Sequence, residues 1–165
     1  MTTFVLVHGA YHGGWCYEKI VPLLEAQGHT AIAVDLPGHG NNRIPVGEVT
    51  LAGYVDHVCT IIEAQDEPVV LVGHSLGGLT ISSVCERMPG NIARVVYLTA
   101  MMLKSGQERS ELAQYDTPEP MTAKRVISAD GVSATMPAES LTLTLCTVCS
   151  AAAVSQSPRP DAARA

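Results

Sequence analysis

Gly73-His74-Ser75-Leu76-Gly77 has the spacing G-x-S-x-G, in which a serine hydroxyl is presented as a nucleophile. The chemistry this serves is acyl transfer: Oγ attacks a carbonyl carbon, a base takes its proton, and N–H donors hold the charge that develops on the carbonyl oxygen. The flanks suit the motif. Val69-Val70-Leu71-Val72 is an apolar, mostly β-branched run, the pattern of a strand buried on both faces. After the serine, Leu76, Leu79, Thr80, Val84 and Met88 follow at helical spacing until Pro89-Gly90 stops them. Strand, sharp turn and helix with a serine at the apex form a nucleophile elbow, and Gly73 and Gly77 let its two limbs approach closely. The plainer alternative is a glycine-rich strand-to-helix turn whose hydroxyl does nothing.

A second loop carries chemistry. His8-Gly9-Ala10-Tyr11-His12-Gly13-Gly14-Trp15 leaves the end of the apolar run Thr3 to Val7. A loop so rich in glycine can turn backbone N–H groups toward a ligand or a developing negative charge. His8 and His12 stand four apart, but glycines make this a loop rather than a helix face, so both are expected to shape it by hydrogen bonding. Gly9, Gly13 and Gly14 do not fit G-x-G-x-x-G, and no phosphate-binding G-x-x-x-x-G-K-[ST] exists. Asp35, at the end of another apolar run, is therefore read as a structural turn acid rather than a ribose ligand. Cys146 and Cys149 have C-x-x-C spacing without a second pair or a following histidine, so no metal site is expected.

The elements that must position these groups alternate. Strands are expected at Thr3–Val7, Ala31–Val34, Val69–Val72 and Arg94–Ala100. A helical stripe runs through Cys16, Ile20, Leu23, Leu24 and Gln27 to Gly28, with Pro22 in its first turns or kinking it. Another runs through Leu51, Tyr54, Val55, Val58, Ile61 and Ile62 behind an N-capping Thr50. Alternation of this kind implies an α/β fold, a mostly parallel sheet with helices on both faces. Beyond Lys104 the pattern supports short helices near 107–114 and 122–129, an alternating strand at Leu141–Leu145 and a disordered Ala/Ser/Pro/Arg tail from Ala151 to Ala165.

Composition narrows the classes. The 165 residues suit one domain with a sizeable core, and 47% hydrophobic residues exclude a wholly disordered chain. A net charge of −6 without a basic cluster argues against nucleic acid, and no apolar run is long enough to span a membrane. The chain starts almost directly in a strand with no secretory signal ahead of it, and its five cysteines are scattered, so a cytoplasmic location is expected.

Taken together, Phe4 to Ala10 (FVLVHGA), His12 to Trp15 (HGGW), Asp35 to Gly40 (DLPGHG) and Val72 to Gly78 (VGHSLGG) resemble the α/β-hydrolase superfamily. More narrowly, they resemble the branch of plant-type methylesterases, hydroxynitrile lyases and their bacterial esterase relatives. The resemblance covers roughly residues 4 to 140. It implies that Ser75 is the nucleophile and that the N–H groups of Ala10 and Leu76 form the oxyanion hole. His12 and His74 are candidate pocket residues, but His12 is read as shaping the loop and His74 as packing beside the turn rather than either serving as the base. The lyases of the branch carry a threonine where this chain has Gly9, which favours an esterase acting on small esters, with no cofactor or metal. It also implies an incomplete hydrolase core over 1–104, a cap over 105–140 and an irregular tail over 141–165.

The family's order is Ser, Asp, His, yet every histidine here (8, 12, 29, 39, 57 and 74) precedes Ser75. Of the aspartates that follow it, Asp116, Asp130 and Asp161, none stands just after an apolar strand. The sequence thus reads as the front part of a hydrolase with its last strands missing, weak or inactive on its own, or as a non-catalytic binding module or fragment. With the usual strand order, Val95–Ala100 becomes an exposed edge. It is expected to self-associate or to pair with Leu141–Leu145.

Overall fold

The computed structural model of the chain describes residues 1–108, 111, 125–131 and 133–137. Four parallel strands form the main sheet: β1 (Thr3–Val7), β2 (Thr30–Val34), β3 (Val69–His74) and β4 (Ile92–Leu98), in the order β2-β1-β3-β4. The chain thus builds to one side of β1 with β2 and then to the other with β3. That reversal opens a crevice at the carboxyl ends of β1 and β3, where open α/β sheets bind their ligands. Both chemistry-bearing loops leave the sheet there. Val7 pairs with Gly73, so two residues further along each chain Gly9 arrives beside Ser75.

Alternation within the strands divides the core. Val5, Val7, Val69 and Leu71 face one side, against Val55, Val58 and Ile62 of α2 (Leu51–Glu63) and Ile81 and Val84 of α3 (Gly77–Arg87). Leu6, Val70 and Val72 face the other side, with Tyr17, Val21 and Leu24. Helices therefore cover both faces, as the strand runs predicted. Thr50 caps α2, its Oγ1 accepting from the Gly53 N–H at 3.0 Å. Full burial of a valine or isoleucine side chain contributes about 1.5–3 kcal/mol, so tertiary packing sustains α2 more than intrinsic propensity does.

Departures from the sequence reading have local causes. The Cys16–Gln27 stripe is two pieces, a 3-10 turn at Gly14–Tyr17 and a short α1 at Val21–Glu25. Pro22 has no N–H to continue a helix from the preceding turn, so it starts one instead. The fourth strand ends at Leu98 rather than Ala100, because Thr99 turns to φ 42°. Within the span expected to be helical at 122–129, Val126–Ile127 forms β5, antiparallel to β6 (Ala134–Thr135). Val126, Ile127, Thr135 and, through Ser133, the neighbouring turn favour extended pairing over an isolated short helix. Most of the expected 107–114 helix, the Leu141–Leu145 strand, the Cys146/Cys149 pair and the tail lie outside the described residues. Among the described residues, β4 is a sheet edge, with Val95, Val96 and Leu98 exposed at 38%, 41% and 48%.

Candidate active site

Ser75 sits between β3 and α3 at φ 50°, a left-handed conformation that costs a non-glycine residue of order 1–3 kcal/mol and persists only where its surroundings impose it. They do so here. The Ser75 carbonyl accepts from Gly78 N–H at 3.1 Å and from Met101 N–H at 2.8 Å, and its own N–H reaches the Leu98 carbonyl at 3.4 Å. The elbow closes only around missing side chains. A Cβ on Gly77 would stand 2.7 Å from the His8 carbonyl oxygen and 2.8 Å from that of Val7, while one on Gly73 would meet the Ile81 side chain at 2.7 Å.

The β1 loop lies directly against this turn. A Cβ on Gly9 would come within 2.8 Å of Ser75 Cβ and 3.2 Å of His74 Nδ1. Ala10 follows, and among the described residues neither its N–H nor that of Leu76 donates to a protein acceptor. Leu76 also stands at the N-terminus of α3, where the helix dipole favours negative charge. Gly9 thus sits against Ser75, and Ala10 and Leu76 line one small cavity. That cavity of about 10 Å³, room for one water, separates the loop from His39, Tyr54 and Thr80 behind it.

Imidazoles hold the loop. His8 Nδ1–H donates to the Gly9 carbonyl at 2.7 Å, and its Nε2 accepts from Leu36 N–H at 3.3 Å. His12 Nδ1–H donates to the Ala10 carbonyl at 2.7 Å. These assignments follow because a carbonyl only accepts, so the facing nitrogen carries the proton. Burial pushes the pKa of His8 down to about 4 and also lowers those of His12, His39 and His74, which keeps the rings neutral near pH 7. His12 stacks on Trp15 with centroids 5.4 Å apart and meets His74 edge-on at 5.8 Å. His74 therefore packs beside the elbow. Among the described residues no hydrogen bond joins Ser75 Oγ to any histidine.

Asp35 is a structural pin. Its Oδ1 accepts from Gly14 N–H at 2.6 Å and its Oδ2 from Asn41 N–H at 2.9 Å, tying the β1 and β2 loops together. Asp130 lies in the β5–β6 turn and accepts from the Ser128 hydroxyl. Two contributors escape the sequence reading, His39 and Tyr54. His39 Nδ1–H donates to the His12 carbonyl at 2.8 Å, and the Tyr54 hydroxyl donates to His39 Nε2 at 2.9 Å. The signal was a third histidine at the end of the strand paired with β1, which matters only once β1 and β2 are known to be neighbours. Among the described residues no group of three or more ligating side chains could hold a metal ion, and no helix is long and apolar enough to cross a membrane.

A parallel sheet with a strained serine elbow and a glycine-rich loop at its switch point defines an α/β hydrolase. Residues 4–164 match the alpha/beta hydrolase family, and the chain belongs to it. Among curated relatives, it is 43% identical to salicylic acid-binding protein 2 of Nicotiana tabacum over 121 residues, 71% of this chain and 46% of that one. It is 45% identical to methylesterase 1 of Arabidopsis thaliana over 103 residues, 60% of this chain and 39% of that protein. A crystal structure of polyneuridine aldehyde esterase superposes with TM-score 0.85 at 29% identity, covering 94% of this chain and 66% of the other. The chain is thus similar to esterases of the methylesterase branch. It spans less than half the length of these two curated relatives.

Proposed function

We propose that this chain carries the nucleophile and oxyanion hole of a carboxylesterase-type serine hydrolase acting on small esters. The carrying observation is Ser75 at φ 50° between β3 and α3, with the Ala10 and Leu76 N–H groups unengaged by any acceptor among the described residues. Its esterase relatives support the same reading. In the reaction, Ser75 Oγ adds to the ester carbonyl carbon as its proton leaves to a base. The carbonyl oxygen becomes an oxyanion held by the two N–H donors, each worth a few kcal/mol in the transition state. Collapse expels the alkoxide, which takes up a proton, and water then hydrolyses the acyl-Ser75 ester. None of these steps calls on a cofactor or a metal.

The base is the weak point within this sequence. No histidine follows Ser75, and no described side chain is hydrogen-bonded to its Oγ. Turnover by the 165-residue chain is therefore expected to be slow, with acceleration from the oxyanion hole and binding on the order of 10³–10⁴ over water in the serine protease precedent. In this reading residues 1–104 are the hydrolase core, 105–140 a cap and 141–165 a tail. The absent histidine also favours a second reading, a ligand-binding module that keeps the pocket without the chemistry.

The test is reaction of the purified chain with a fluorophosphonate, read by intact mass, alongside p-nitrophenyl acetate hydrolysis. Labelling that vanishes in Ser75→Ala supports the esterase reading; a folded chain that neither labels nor hydrolyses defeats it and leaves the binding module. The exposed β4 edge is proposed in addition to pair with a second copy of this chain, since its apolar side chains and its backbone groups, without a strand partner among the described residues, are self-complementary across a two-fold axis.

A further inference from the structure

Tyr11, between Ala10 and His12, adopts φ 64° while its ring is buried against Met136. A bulky residue in this region is strained, so the carbonyls on either side must be held for the turn to persist. Each is held by an imidazole. The Ala10 carbonyl receives His12 Nδ1–H at 2.7 Å, and the His12 carbonyl receives His39 Nδ1–H at 2.8 Å. His39 comes from the loop after β2 and is 3% exposed. Its other nitrogen accepts from the Tyr54 hydroxyl at 2.9 Å, so α2 and the carbonyl of the β1 loop select the same tautomer. Tyr54, itself buried, meets the His39 ring edge-on at 5.9 Å, and His8 lies at 4.8 Å on another side. The relay runs from α2 through the β2 loop to the backbone that aims the Ala10 N–H.

We propose that His39 is a positioning residue for the oxyanion hole: on the tautomer shared with Tyr54, its Nδ1–H clamps the His12 carbonyl and so maintains the left-handed Tyr11 turn that points the Ala10 N–H at the substrate oxygen. This rests on the esterase reading of Ser75 and Ala10. Its stability role alone would be met by any well-packed side chain of similar size. The positioning role requires an N–H at the Nδ1 position. Asparagine supplies one there and leucine does not.

The experiment compares Ser75 acylation by p-nitrophenyl acetate in the unaltered chain, His39→Leu, His39→Asn and Tyr54→Phe. His39→Leu is expected to lower the acylation rate constant by about 10- to 100-fold, approaching the loss of one oxyanion donor. The KM should change little and His39→Asn should recover most of the rate. Tyr54→Phe should give a smaller decrease. Nuclear magnetic resonance of the same proteins provides a readout that needs no turnover. The Ala10, Tyr11 and His12 amide signals should move in His39→Leu and return toward their original positions in His39→Asn. His39 should show the Nδ1–H tautomer in the unaltered chain.

Equal rates in folded His39→Leu and the unaltered chain, or amide signals of the loop that do not respond, would overturn the proposal. Should His39→Leu fail to fold, the Tyr54→Phe rate and its His39 ring-nitrogen shifts decide in the same way. If Ser75 is never acylated, the esterase reading fails while the amide signals still accept or reject the clamp.

Discussion

Acidification should unfold this protein through His8. The ring is 1% exposed, and burial, the largest cause, lowers its pKa from 6.5 to about 4 against the raising effect of its hydrogen bond to Gly9. Below pH 6.5 the unfolded chain takes up a proton that the native ring refuses until about pH 4. The stability from keeping His8 neutral is therefore complete above the unfolded pKa and drains away as pH falls through this window. Linkage over these two pKa values gives a loss of about 2 kcal/mol between pH 7 and pH 5, rising to about 3 kcal/mol by pH 4. His12, His39 and His74 have lowered pKa values too, so the total fall is steeper, and a subtraction is needed to isolate His8. His8→Asn keeps a donor toward the Gly9 carbonyl and removes the titration. Urea unfolding of both proteins at pH 7 and pH 5 supplies the measurement, with coincident transitions by fluorescence and circular dichroism as the two-state check. The stability difference between the two proteins should change by about 2 kcal/mol across that interval. A difference that stays constant with pH would refute the reasoning, as would a His8 ring that titrates near 6.5 in the folded protein.

Gly78→Ala should destabilise the elbow. Its Cβ would fall 2.1 Å from the Met101 carbonyl oxygen and 2.9 Å from the Met101 nitrogen that donates to Ser75. Backbone cannot swing aside as a side chain does, so a cost of about 1–3 kcal/mol or more is expected. A melting temperature unchanged from that of the parent chain would contradict it. The β4 edge should make the chain associate in solution, and Val96→Lys should shift it toward monomer by placing a charge on the exposed edge. Light scattering reads both, and a monodisperse monomer of the unaltered chain excludes the contact.

The legible parts of the fold were those with short-range causes. A run such as Val69 to Val72 has few ways to bury its β-branched residues other than as a central strand. Thr50 announced a helix start because its side chain caps a backbone N–H three residues on, at 3.0 Å. Pro22 was visible, but whether it kinked a helix or opened a new one depended on the tight Gly14–Tyr17 turn before it. Val126–Ile127, inside the span expected to be helical at 122–129, pairs as a strand instead, because two-residue strands leave almost no periodicity and their partner, Ala134–Thr135, lies across a turn.

The same division runs through the site. The Ser75 turn and its flanking glycines were recognisable from sequence, since strand, turn and helix are consecutive residues; the Gly73 clash with Ile81 is local to them, whereas the Gly77 clash with the Val7 and His8 carbonyls exists only because β1 lies alongside. The residue pattern likewise set the class, an acidic chain whose apolar runs and helical stripes alternate as an α/β fold requires. Only the tertiary structure joined the loop after β1 to that elbow, by pairing Val7 with Gly73. Only it made His39 and Tyr54 part of the site, because they lie 27 and 42 positions beyond His12 in the chain, His39 bonding the loop at 2.8 Å and Tyr54 bonding His39 at 2.9 Å. Local sequence specifies which backbone conformations are available to a residue. Strand order and register decide which distant donors are present to hold a strained one in place.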